Sequence, residues 1–123
     1  MKILVLSSLS WSLVNFRGRL LSDLVAAGHD VIACAPDREP GVLDWLAERG
    51  IAFRQTPMNR AGTNPVSDLV LLARYVRLIT KERPDAVIAY TQKPIVYGGL
   101  ASRICRMKNF HVIMSGLGYI YSS

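Results

Sequence analysis

A doubly wound α/β fold, with a parallel sheet between two layers of helices, is the class this sequence predicts, and three observations carry it. Short apolar runs such as Lys2–Leu6, Val31–Ala35 and Ala86–Tyr90 show no alternation, as strands covered on both faces require. The segments between them repeat their apolar residues at helical spacing. Glycine or proline then stops most of these units: Gly28, Gly50 and Pro84 each follow a helical stretch. Strands alternating with helices in this way build parallel sheets.

Lys2–Leu6 is the natural central strand, and Ser7–Leu13 reads as the turn after it. A first helix is expected from about Asn15 to Ala27, with Asn15 as N-cap and Phe16, Leu20, Leu21, Leu24 and Val25 as its apolar stripe. Val31–Ala35 follows as the second strand. The next helix, about Val42–Arg49, should bury Leu43, Leu46 and Ala47 with Trp45 at its edge, before a third strand at Ile51–Gln55. Thr56–Asn64 is the longest irregular stretch, rich in turn formers. Asn64-Pro65 then opens a helix to about Glu82, with Leu69, Leu72, Ala73, Val76 and Ile79 inward. Ala86–Tyr90 is the fourth strand, Thr91–Lys93 a tight turn, and Pro94–Arg106 the fourth helix, where Gly98 and Gly99 permit close approach to the sheet. Phe110–Met114 makes a fifth strand, with a glycine-bearing turn, Ser115–Tyr119, after it. Right-handed crossovers give the strand order 3-2-1-4-5, a three-layer sandwich whose switch point lies between strands one and four. The turns Ser7–Leu13 and Thr91–Lys93 face that crevice. The sequence stops shortly after strand five, which reads as a domain fragment.

The chain of 123 residues, 50% hydrophobic, has the size and apolar content of one domain with a real core. Its apolar runs are far shorter than the roughly 18 to 20 residues of a membrane span, and serines interrupt what would be a signal-peptide core, so a cytoplasmic protein is expected. Cys34 and Cys105 have neither metal-ligand nor C-x-x-C spacing and read as core residues. No metal is expected. The net charge of +6 points to anionic partners: nucleic acid, acidic lipid or phosphorylated small molecules. Aromatic residues are not interleaved with the basic ones as in RNA-binding signatures, which argues against nucleic acid.

Arg17, in the first turn of helix one, and Lys93, at the cap of helix four, are cations where a helix carries partial positive charge, a placement that costs about 0.3 to 1 kcal/mol. An external phosphate or diphosphate completing the site would explain both; side chains turned into water would make the placement neutral. Ser7, Ser8, Ser10 and Ser12 can hydrogen-bond a phosphate or sugar, and Trp11 can stack on a sugar ring or lie against a lipid, although an ordinary polar turn with one packed tryptophan fits the same residues. The turn lacks G-x-G-x-x-G, so Asp37 at the end of strand two is weak support for a dinucleotide. A P-loop and a nucleophile elbow are absent, and His29 and His111 read as structural. Arg74, Arg77 and Lys81 on one helix, with Arg103, Arg106 and Lys108 on the next, form basic faces that suit either solvent or an anionic membrane surface.

Three stretches in order carry a family resemblance: K-I-L-V-L-S followed by N-F-R-G-R-L-L-S-D-L-V-A-A-G-H-D-V, then R-P-D-A-V-I-A-Y-T-Q-K-P-I-V-Y-G-G-L-A-S-R, then S-G-L-G-Y. Over essentially its whole length the chain resembles the N-terminal, Rossmann-like domain of GT-B fold glycosyltransferases of the retaining family-4 type, which build bacterial capsule, O-antigen and exopolysaccharide. The resemblance implies the acceptor-side half of an enzyme whose missing C-terminal domain binds the nucleotide-sugar donor, with no cofactor and no metal. It also implies a lipid-linked or polysaccharide acceptor at the inner face of the plasma membrane. By position, the Ser7–Asn15 turn, with Ser8 and Ser10, borders the cleft near the donor diphosphate, while Thr91, Lys93 and the Ser115–Tyr119 turn, with Gly116 and Gly118, line the acceptor side. Arg17 and Lys93 are the expected phosphate contacts, Asn15 and Thr91 polar positioning residues, and Trp11 an acceptor contact. Many relatives carry a histidine motif after strand four; here the residues are Tyr90-Thr91-Gln92-Lys93, and no general base is assigned. Alone, the fragment should be inactive. Two other readings are a non-catalytic, acceptor- or membrane-recruiting subunit of a two-chain glycosyltransferase, and a nucleotide-binding α/β enzyme.

Overall fold

In a computed structural model that describes residues 1–15, 17–57 and 65–113, five strands alternate with helices. The strands are β1 (Lys2–Leu6), β2 (Asp30–Ala35), β3 (Ala52–Gln55), β4 (Ala86–Tyr90) and β5 (Phe110–Ile113). The helices are α1 (Ser10–Asn15), α2 (Gly18–Ala26), α3 (Pro40–Glu48), α4 (Pro65–Glu82) and α5 (Gln92–Ile104). All pairings are parallel and the order is β3-β2-β1-β4-β5, as the sequence predicts. Leu4 of β1 stands between Ile32 of β2 and Val87 of β4.

The two faces of the sheet divide the core by the strand period of two. Ile3, Val5, Val31, Ala33 and Tyr90 pack with Leu13, Leu21, Val42 and Leu46 under α1, α2 and α3. Leu4, Leu6, Ile32, Cys34, Val87 and Ala89 pack with Leu71, Tyr75, Ile79 and Ala101 under α4 and α5. Each fully buried leucine here contributes about 1.5–3 kcal/mol of transfer free energy. Gly98 allows this close packing: a Cβ there would stand 2.6 Å from the Leu6 Cδ1 atom, and the buried Leu6 side chain would have to shift. A Cβ added at Gly99 would stand 3.3 Å from the Phe110 ring.

Several expected boundaries move, each for a local reason. The first helix does not begin at Asn15. Helical turns start at Ser10, and Asn15 closes α1 with its side-chain amide donating to the Trp11 carbonyl at 2.9 Å, so it is no N-cap. A separate helix, α2, follows Arg17, and its Gly18 packs on the Trp45 ring. The expected turn Thr91–Lys93 shrinks to Thr91 alone, since Gln92 and Lys93 are already helical and Pro94 is tolerated in a first turn. Helix α3 begins at Pro40 and buries Val42 and Leu46, leaving Ala47 exposed. On α4 the buried stripe is Leu71, Tyr75 and Ile79, whereas Leu69 is 64% exposed and Ala73 also faces outward. Leu69–Ala73 is an unbroken apolar run, so periodicity could not select the inward face there; the large Tyr75 ring takes it. Cys34 is fully buried and Cys105 half-buried. Met114 and the turn Ser115–Tyr119 lie outside the described residues.

Candidate functional site

The carboxyl ends of β1 and β4 lie side by side at the point where the chain's winding reverses, the place where open α/β sheets bind ligands. The residues that follow these two strands meet there. Thr91 donates its hydroxyl to Ser8 Oγ at 3.0 Å, joining positions 83 residues apart. Ser12 Oγ shares a 2.9 Å hydrogen bond with the Tyr90 hydroxyl and donates to the Leu9 carbonyl at 2.6 Å. Above the Tyr90 ring lies the Arg17 guanidinium, 4.9 Å from the ring centroid, a cation–π contact of about 0.5–2 kcal/mol.

Thr91 has φ +72° and ψ +161°. That backbone region is left almost entirely to glycine, and holding a β-branched residue there costs about 1–3 kcal/mol. Strain of this kind persists where the surroundings over-determine it. Here the Ser8 contact and the start of α5 fix the residue from both sides.

Ser10 is buried, and its backbone N–H and hydroxyl both donate to the Asp37 carboxylate, at 2.8 and 2.6 Å. Asp37 is therefore engaged as the cap of α1 from the end of β2. Ser7 extends β1 and donates through both N–H and Oγ to the Cys34 carbonyl. Trp11 is 42% exposed on the outer side of α1, and Asn15 is exposed at its end.

Lys93 has its anion within the chain. Its ammonium lies 2.8 Å from Asp68 Oδ1 in the first turn of α4, and the Tyr97 hydroxyl donates to Asp68 Oδ2 at 3.0 Å. A carboxylate 25 residues away, rather than the external phosphate expected from the sequence, offsets this cation. The Lys93 hydrogen bond, joined by that of Tyr97, holds the Asp68 carboxyl below its ordinary range despite some desolvation, and the Asp68 bond pushes the Tyr97 phenol up.

Burial raises the Tyr90 phenol, against the opposing hydrogen bonds of Ser12 and Ser7 and the charge of Arg17. Burial also raises the Cys34 thiol strongly, so neither group supplies a base or thiolate at neutral pH. Among the described residues no group of three His, Cys, Asp or Glu could hold a metal ion. Ser8, Thr91 and Arg17 thus come together at the crevice, Ser10 and Lys93 are engaged by Asp37 and Asp68, and Gly116 and Gly118 lie outside the described residues. Tyr90 and Asp68 were missed, and Ser12, expected with the other serines of the turn to meet a ligand, bonds Leu9 and Tyr90 within the fold. Tyr90 could have been found as the polar-tipped residue ending a buried strand.

A Rossmann-like unit with this strand order and crevice is the N-terminal domain architecture of GT-B fold proteins, and solved structures agree. MurG from Acinetobacter baumannii superposes with a TM-score of 0.66 at 19% identity, over 91% of this chain and 34% of its own. A glycosyltransferase from Rickettsia africae gives 0.67 at 19% identity, over 99% and 33%. A UDP-N-acetylglucosamine 2-epimerase gives 0.69 at 19% identity, over 94% and 35%. The chain spans about a third of the length of these proteins. Residues 15–115 match the glycosyl transferase 4-like domain, and the chain belongs to that family. No match to a curated protein sequence was found.

Proposed function

We propose that this chain is the acceptor-binding half of a glycosyltransferase that moves a sugar from a nucleotide-sugar donor to a lipid-linked or polysaccharide acceptor in cell-surface polysaccharide synthesis. The observation that carries the reading is the strained Thr91, tied to Ser8 across the β1–β4 switch point in a member of the glycosyl transferase 4-like family. Thr91 and Ser8 present hydroxyls to a sugar or phosphate oxygen. Arg17 adds positive charge beside them, Ser10 and Asn15 shape the α1 wall, and Trp11 offers an exposed ring to the acceptor. The donor is held by a second domain, and transfer requires no metal on this side.

A peripheral position at the inner membrane face fits the surface. Val66, Leu69 and Val70 of α4 and Val96 and Leu100 of α5 are exposed aliphatics, and the net charge is +6. No helix among the described residues is long and apolar enough to cross a membrane.

Calorimetry separates this reading from a nucleotide-binding enzyme. A water-soluble short-chain prenyl diphosphate should bind the chain at least about tenfold more tightly than a nucleotide sugar or NAD, a difference of about 1.4 kcal/mol. A nucleotide that binds more tightly than the prenyl diphosphate contradicts the assignment.

A further inference from the structure

A second basic feature lies away from the crevice, on the edge of the sheet formed by β3. A groove of about 220 Å³ runs between β3 and the later turns of α4, lined by Arg54, Gln55, Thr56, Arg74, Arg77 and Lys81. Its charge is poorly balanced. Arg54 must share Glu82 with Lys2, at 3.5 and 3.2 Å. Burial works against ionisation of Glu82, but Lys2 and Arg54 outweigh it and hold the carboxyl low, so this carboxylate is already spent between two cations. Arg74, Arg77 and Lys81 have no carboxylate within 4.0 Å among the described residues, and all 9 acidic residues of the chain are among those described.

The inner wall is polar as well: Thr56 is 3% exposed, and its hydroxyl lies beside that of Tyr75. Three like charges at successive turns of one helix repel each other. Guanidinium forks grip phosphate oxygens with paired hydrogen bonds. We infer that this groove is a diphosphate-binding site, separate from the β1–β4 crevice and independent of the function proposed for it. Arg74 and Arg77 grip the phosphates, Lys81 and Arg54 supply further charge, and Thr56 lies at the floor.

The test uses the 123-residue chain, inorganic pyrophosphate and amide NMR. Saturable shifts are expected at Arg54–Thr56 and Arg74–Lys81. The double variant Arg74→Gln/Arg77→Gln should weaken binding at least about tenfold, whereas Arg103→Gln/Lys108→Gln, which removes equal charge elsewhere, should change it by less than about twofold. Should the first variant fold poorly, Lys81→Gln must still weaken binding more than the control pair. Retention on phosphatidylcholine vesicles carrying a polyprenyl diphosphate, weakened by Arg74→Gln/Arg77→Gln more than by Arg103→Gln/Lys108→Gln, assigns the diphosphate to a lipid; pyrophosphate binding in the groove with vesicle retention equal in the two double variants assigns it to a soluble molecule. Equal loss in both double variants, or no saturable binding of either probe, overturns the site.

Discussion

Thr91 concentrates the chemistry of the crevice in one residue. Its φ of +72° belongs to glycine, yet it keeps a branched side chain whose hydroxyl reaches Ser8. If the side chain is retained for that contact, strain and function can be separated by substitution. Thr91→Val keeps the strain and loses the hydroxyl; Thr91→Gly loses both. In chemical denaturation Thr91→Gly should be about 1 kcal/mol more stable than Thr91→Val, the relief of strain less the entropy cost of glycine. Equal stabilities would remove the case for strain. At this scale the sequence was legible only in part. It marked Ser8 and Thr91 by their place after buried strands, and Arg17 as a cation in a first helical turn. Asp68 beside Lys93 and Asp37 beneath Ser10 were invisible, since each partner lies 25 or 27 residues away and only the folded sheet brings them together.

Elements were read better than their ends. The span of α4, Pro65–Glu82, follows from Asn64-Pro65 at one end and Arg83-Pro84 at the other, and β1, β2 and β4 follow from their unbroken apolar runs. The starts of α1 and α5 were misplaced because tertiary contacts, not local propensity, set them: Asp37 caps Ser10, and Thr91 turns the chain directly into Gln92. Helices α4 and α5 are clamped near their amino ends by Asp68, Lys93 and Tyr97. Since the folded Asp68 carboxyl is held below its unfolded value of about 3.9, its contribution is complete above that pH and is lost as the pH falls through the lower folded value. Wild type should therefore exceed Asp68→Asn in stability from neutral pH down to about pH 4, and the gap should close on further acidification. A gap that persists unchanged in acid would show that the carboxylate charge is not what joins the helices.

At the scale of the whole molecule, the strand order β3-β2-β1-β4-β5 and the position of the switch point were legible, because strands buried on both faces and joined by helices have few right-handed solutions. The order alone brings Ser8 and Thr91 to one rim. What the order could not give was the charge layout: Lys93 is satisfied within the fold, whereas Arg74, Arg77 and Lys81 crowd the β3 edge. The central claim is that the β1–β4 crevice holds the acceptor. Amide NMR of the chain titrated with a water-soluble prenyl diphosphate tests it most directly. The account predicts saturable shifts at Ser8, across Ser10–Asn15, and at Arg17 and Thr91; shifts confined to the β3–α4 groove, or to any other face, would contradict it.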